Sequence, residues 1–309
     1  MNSTPGSTRI PRRRLLAGTA ATAGAAALAA CAPDHPDAVD ADEIIVNRVD
    51  RVPADDPDAD AWGRTPEKTV EMASQEIALP HRTTPAVQTI RIRAIHDGET
   101  IGFRVDWDDR EIDDMTVRVD DFRDACAVLL APGAGDETVR TMGTATTAAT
   151  LLHWKADWQR DIDSGRAGLD DAYPNRSVDA YPPLVDVVPG EATIEDYADA
   201  GATQWLPGTD VGNPMSASRR ETAVEKIVAN GYGTSTTTPT QDARGRGDHR
   251  TEGWRVTLTK PLGAADDGET TLSPGGEATC AFAVWAGADG DAGSRKSPSA
   301  TVYRLTIVA

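Results

Sequence analysis

The sequence predicts an all-β protein, an antiparallel β-sandwich with one short helix and one long loop insertion. Three observations carry that expectation. Apolar and polar residues alternate with a period of two in several short stretches, turn residues interrupt them often, and an Asp-Gly pair joins two of them head to tail. Short alternating strands with frequent turns are the pattern of two packed antiparallel sheets. The chain of 309 residues is long enough to bury a substantial core as one large domain or two small ones.

Residues 1–30 read as a targeting segment and not as part of the fold. Arg12-Arg13-Arg14-Leu15-Leu16 resembles a twin-arginine export signal, and the Ala-rich stretch after it is too short and too weakly apolar for a membrane span. It ends in Leu28-Ala29-Ala30-Cys31, which looks like a lipobox, so cleavage would expose Cys31 for lipid attachment. Residues 31–60 are rich in Asp, Ala and Pro and read as an acidic linker, within which Ile44-Ile45-Val46 is expected to add an edge strand. The sandwich is expected over residues 61–309, with Trp62 as its first core anchor.

Thr89–Ile95 alternates, meets the turn signal Asp97-Gly98, and Thr100–Trp107 returns, which is a hairpin. Phe122–Leu130 is a third strand, ended by Pro132-Gly133. A Met-Gly turn at Met142-Gly143 precedes a strand over Leu151–Trp154. Residues 160–220 form the insertion, rich in Asp, Gly and Pro, and a loop of that length is usually functional or poorly ordered. Ser216–Val228 is expected to form a short helix stopped by Gly231-Tyr232-Gly233-Thr234. Strands over Gly253–Leu262, Thr279–Trp285 and Thr301–Val308 complete the sheet.

Acidic residues outnumber basic ones 49 to 31, for a formal net charge of −18. Such a surface repels phosphate backbones and anionic lipid, which argues against a nucleic-acid partner. Lysine is scarce, at positions 68, 155, 226, 260 and 296 only. Abundant carboxylates with few lysines suit a protein working in very high salt, where self-repulsion is screened, so an extreme halophile is expected.

Several segments together resemble one family. The phrases AIHDGETIGFRVDWDD and FRDACAVLLAP, the Met142-Gly143 turn, His153-Trp154 with Trp158, VEKIVANGYGTST and the pair Lys296-Ser297 are similar to the haem b (γ) subunits of type II dimethyl sulfoxide reductase-group molybdenum enzymes. Ethylbenzene and dimethylsulfide dehydrogenases belong to that group. The resemblance covers roughly residues 60–160 and 220–309, and implies a sandwich like that of carbohydrate-binding modules. It also implies that Met142 and Lys296 clamp haem b from opposite sides. A glycine after the methionine lets the backbone approach closely, and lysine can ligate only as the neutral amine, so its pKa must be depressed. A soft thioether favours the ferrous state, and two protein ligands leave no open position, so electron transfer is implied and not catalysis. The implied partners are an Fe–S subunit and a molybdopterin catalytic subunit of an exported complex, of nitrate reductase or dehydrogenase type, together with an external electron carrier.

On the residues alone, Met142 also fits a gap in a core and Lys296 a solvated loop. Met72, Met115 and Met215 compete for the first position, and Lys226 and Lys260 for the second. The five histidines lack metal-like spacing, and His153 is the one to consider beside a haem. Cys126 and Cys280 either pair or remain buried thiols. Cys-x-x-Cys-His, phosphate-loop and nucleophile-elbow motifs are absent from the sequence. The competing readings are a haem-free cell-surface sandwich that binds carbohydrate on a platform including Trp205 and Trp254, and a structural envelope lipoprotein.

Overall fold

The structure is a computed structural model that describes residues 42–76, 79–133, 136–176, 207–217 and 219–309. The targeting segment with Cys31, the first part of the linker, Trp205 and the middle of the insertion lie outside the described residues. Thirteen strands run in one continuous sheet: β1 (Glu43–Arg48), β2 (Lys68–Glu71), β3 (Thr89–His96), β4 (Thr100–Asp108), β5 (Ala125–Pro132), β6 (Ala149–Lys155), β7 (Val224–Ala229), β8 (Thr236–Thr237), β9 (Gly247–Arg250), β10 (Gly253–Pro261), β11 (Glu277–Trp285), β12 (Ser297–Pro298) and β13 (Tyr303–Ile307). Their order is β8-β7-β6-β5-β11-β13-β1-β3-β4-β10-β9, with β12 on β11 and β2 on β3.

The sheet folds over so that its two limbs pack face to face, which gives the all-β sandwich. Alternation decides which side chains meet between the limbs. Val128, Leu130, Leu152 and Trp154 from one limb share a single buried cluster with Ile92, Phe103, Trp107 and Leu258 from the other. Trp154 sits edge-on to Trp107 and Trp254, with ring centroids 6.2 and 4.9 Å apart. Gly247 has no room for a side chain because a Cβ there would enter the Trp154 ring.

The hairpin β3–β4 turns at Asp97-Gly98 as expected, with Gly98 at φ 97° and the Asp97 carboxylate accepting from Glu99 N and Thr100 N at 3.1 and 2.8 Å. Two expectations need correction. Ile44–Val46 lies in β1, which is interior, running parallel to both β13 and β3 and joining the two limbs. Alternation reports which faces are buried and not how many neighbours the backbone has, so it cannot separate an edge strand from an interior one.

Ser216–Val228 is not a helix either. Pro214–Ser216 is a single 3-10 turn, and Val224–Ala229 is strand β7, paired along β6 from Ala149↔Ala229 to Trp154↔Val224. Val224, Ile227 and Val228 are β-branched, and sheet pairing outweighs the helix-forming Glu225 and Lys226. The short helix lies instead at Ala156–Ser164, directly after β6, and buries Trp158.

Cys126 and Cys280 are free and fully buried. They sit on adjacent strands, but Cys126 is opposite Val284 and Cys280 opposite Leu130, a four-residue offset of about 13 Å. That exceeds the reach of a disulfide. Burial pushes both thiols well up, which makes them poor nucleophiles. Both are therefore expected to resist a thiol reagent in the native protein and to react on unfolding, and reductant should leave the melting temperature unchanged. Rapid native labelling of either would contradict this packing.

Candidate functional site

The strands β5, β6, β7 and β11 turn one face to the core, and the face turned away is also apolar. Residues directly opposite one another form rows across it: Leu151, Leu129 and Ala281 in one, His153, Ala127 and Ala283 in the next, Lys155, Ala125 and Trp285 in the third. Four of these nine are alanines, and Ala125, Ala127 and Ala283 are all buried, with Leu129, Leu151, His153, Lys155 and Trp285 standing around them. A solvent face of a sandwich would carry alternating polar residues. This one is a flat, dry floor.

Met142 comes onto that floor from one side. Its side chain packs against the cluster containing Leu129, Ala131 and Leu151. Its backbone is left-handed, φ 58°, a conformation that costs a non-glycine residue free energy and is kept only where the surroundings enforce it. The enforcement is visible. Gly143, at φ 92°, lies against the Ala229 carbonyl so closely that a Cβ would overlap it. Gly231 N donates to Met142 O at 2.9 Å, and Tyr232 Oη donates to Arg140 O at 2.6 Å. The Gly-Tyr-Gly turn, expected as a helix stop, thus braces the methionine loop.

Lys296 reaches the floor from the opposite strand. It immediately precedes β12, where Ser297 lies opposite Val284, and Ser297 Oγ accepts from Val87 N at 3.3 Å. The Lys296 amine stands 5.2 Å from the centroid of Trp285, which stacks on His153 at 4.6 Å. Burial pushes the Lys296 pKa down, toward the neutral amine a metal requires. Lys296 and Met142 therefore both address one face of one limb. Met142 lies over the row of Leu129 and Leu151 and Lys296 at the row of Trp285, with the His153 row between them, a separation of about 14 Å along the strands.

The competing lysines are engaged. Lys226 is fully buried and bonded to Asp242 at 2.5 Å and Glu269 at 2.7 Å. Lys260 donates to the carbonyls of Pro261, Gly263 and Thr270. Lys155 pairs with Glu225 and stands 3.9 Å over Trp158, whose ring Arg220 also approaches, at 4.0 Å. Among the competing methionines, Met72 lies in the core and Met215 Sδ accepts from the Lys155 amine at 3.7 Å. Met115 borders an acidic cleft with Asp113, Asp114 and Asp121. Among the described residues, no group of three or more His, Cys, Asp or Glu could hold a metal ion.

The face fits a flat, apolar macrocycle in its dryness, its small residues and its two donors of the right kind. A cavity of about 230 Å³ borders it at Ala125, His153, Trp285 and Gly293. That is smaller than the roughly 300–1,000 Å³ of small-molecule pockets, and neither Met142 nor Lys296 is among its lining residues. Both donors are unbranched side chains able to rise from the floor. Trp254, by contrast, cannot form an exposed platform: it is buried against Trp107 and Trp154, and its Nε1 donates to Asp124 at 3.0 Å.

The sequence profile of the family described as ethylbenzene dehydrogenase matches residues 59–297. A protein of Haloferax mediterranei assigned as a respiratory nitrate reductase haem subunit is 22% identical over 243 residues, 79% of this chain and 65% of that protein. The chlorate reductase γ subunit of Ideonella dechloratans is 22% identical over 241 residues, 75% of this chain and 70% of that one. The chain thus spans about two thirds of each relative. A family 9 carbohydrate-binding module of Caldicellulosiruptor kristjanssonii, solved with cellotriose, aligns over 86% of this chain and 94% of its own at a TM-score of 0.37 and 10% identity.

The seat of the methionine loop is testable. Gly143→Ala is expected to cost more than about 1 kcal/mol, since it combines a disfavoured φ with a clash on the Ala229 carbonyl. Denaturant unfolding of the two proteins measures this. An unchanged midpoint would mean the loop is not held against β7.

Proposed function

The chain belongs to the ethylbenzene dehydrogenase family, and on that footing we propose that it is the haem b electron-transfer subunit of an exported molybdenum oxidoreductase complex. What supports the reading is the family match together with a braced thioether and an amine without a carboxylate partner at the two ends of one largely apolar sheet face. A haem held there supplies a one-electron couple.

The protein residues have separate tasks in this reading. Met142 offers a soft sulfur from a loop that the Gly231 amide and the Ala229 carbonyl hold in place. Lys296 offers nitrogen once its amine is deprotonated, and burial lowers its pKa in that direction while Glu225 and Glu269 are committed to Lys155 and Lys226. The alanine floor excludes water, which limits reorganisation when charge arrives or leaves. With both donors supplied by the chain, no position is left for a substrate, so turnover of nitrate, chlorate or a reduced organic compound belongs to a separate molybdopterin subunit. An Fe–S subunit on one side and an external carrier on the other complete the path. The named functions of the two relatives, a nitrate reductase haem subunit and a chlorate reductase γ subunit, favour a reductase of small oxyanions over a dehydrogenase.

Export and lipid attachment are part of the same proposal. Arg12-Arg13-Arg14 and Leu28–Cys31 support translocation of the folded protein followed by acylation at Cys31. A single acyl chain anchors only marginally, so association with the partner subunits would secure it. In the native host, Cys31→Ser is expected to shift the protein from the membrane fraction to the medium, and equal partitioning of the two forms removes the anchor from this account.

Purified protein should show the split α and β bands of a reduced low-spin b-type haem, extractable into acid acetone. Met142→Ala and Lys296→Ala should each give a high-spin spectrum or lose the pigment, whereas Met115→Ala should retain the original bands. A colourless protein after reconstitution with haemin sinks the proposal, and an unchanged spectrum in either ligand variant sinks the ligand assignment.

A further inference from the structure

His153 has a role that neither axial position uses. Its ring lies on the floor in the row between Leu151 and Lys155, opposite Ala127, and stacks on Trp285 with an interplanar angle of 28°. Its Nε2 is sealed from solvent without a hydrogen-bond partner in the chain. A buried ring nitrogen left in that state costs the fold free energy; the other orphan nitrogens among the described residues are those of Arg93, His96, Trp107, Trp154 and Trp158, none of which borders this cavity. His153 differs in bordering the 230 Å³ cavity beside Trp285.

The charged surroundings give the sign of what would satisfy it. Lys155 and Arg123 stand near the ring as positive neighbours. Arg123 also borders the cavity and bonds Asp157 at 2.7 Å. Opposing charges are present: Glu225 lies opposite His153 on β7, and Asp121 and Asp291 line the cavity. Each is engaged, Glu225 by Lys155, Asp121 by the Arg118 amide, and Asp291 by Arg82 at 3.4 Å. An imidazole Nε2 bearing its hydrogen can donate to an anion that enters from the cavity.

We propose that His153 is a positioning residue whose Nε2 donates a hydrogen bond to a carboxylate side arm of the bound tetrapyrrole, fixing its rotation on the floor. The inference rests on the haem-binding reading. The periphery of a b-type haem is hydrocarbon except for its two carboxylates, so they are the groups able to satisfy a polar atom there. Stacking on Trp285 supplies the rigidity that such a contact needs, since the ring cannot swivel without leaving the indole.

The proposal predicts effects of opposite sign in the haem-free and haem-loaded protein. His153→Phe keeps a stacking ring and removes the nitrogen. Its haem-free form should melt at the same temperature as the parent or higher, because an unsatisfied polar atom is gone. Its loaded form should lose haem to excess apomyoglobin about tenfold faster, the factor that one hydrogen bond of ordinary strength accounts for. Haem dimethyl ester, in which both carboxylates are blocked, tests the pairing in the parent protein itself. The parent should lose the ester faster than haem by a similar factor, and His153→Phe should release both at one rate. If the parent holds haem and its ester equally, or if His153→Phe keeps the parent's release rate, the proposal is overturned. A His153→Phe protein that melts lower without haem also overturns it, by showing that the nitrogen serves the fold. Failure of the parent to bind haemin at all is a different result, and tells against the haem reading and not against this residue alone.

Discussion

A β-strand has two faces, and in the limb built from β5, β6 and β11 both are apolar. One is covered by the opposite limb, through Val128, Leu152 and Trp154 against Phe103 and Trp107. The other has no second sheet against it, yet it sets alanines, Leu129 and Leu151 beside His153, Lys155 and Trp285, where an ordinary sandwich would alternate polar residues toward water. Most of these side chains are buried, so the face belongs to the packed part of the fold and not to an open surface. The positions of Met142, Lys296, Trp285 and His153 follow from that constraint, since each is set at a row or a rim of the same floor.

The floor also explains why the chain departs from its own preferences at Met142. A methionine in the left-handed region is strained, and Gly143 beside it is pressed onto β7. The Gly231 and Tyr232 hydrogen bonds act as struts that hold the loop in that conformation. That cost is tolerable only because the rest of the sheet is conventionally built.

Much of this was legible in the sequence. The hairpin at Asp97-Gly98, the strands β10 and β11 and the sandwich itself follow from period-two alternation and turn chemistry. Where the sequence misleads, the reason is physical. In β7, Glu225 and Lys226 are good helix formers on the surface, but here they face opposite sides of a strand and end in buried ion pairs with Lys155 and Glu269. No local pattern announces partners that lie 70 and 43 residues away. The interior position of β1 is hidden for the same reason. His153 shows the limit most clearly: its neighbours in sequence are a strand's, and its unpaired nitrogen and the cavity beside it exist only once β6 and β11 are brought to either side of β5.

The discrimination among lysines is the last step, and it is electrostatic. A lysine buried with a carboxylate is held charged, because the pair's attraction offsets part of its desolvation. Lys226 is wedged between Asp242 and Glu269, and its amine is taken up by both carboxylates. Lys155 is pulled both ways, down to about 8 by burial and up by Glu225, and its amine is already shared among Glu225, Met215 and Trp158. Lys260, also lowered to about 8, points into three backbone carbonyls that need its protons. For Lys296 desolvation acts alone, and the nearest group is the face of an indole, which attracts the cation weakly and blocks nothing. Its free-energy cost of losing a proton is thus reduced without any partner having to be given up. Of these lysines, Lys296 is the one whose pKa is lowered by burial alone.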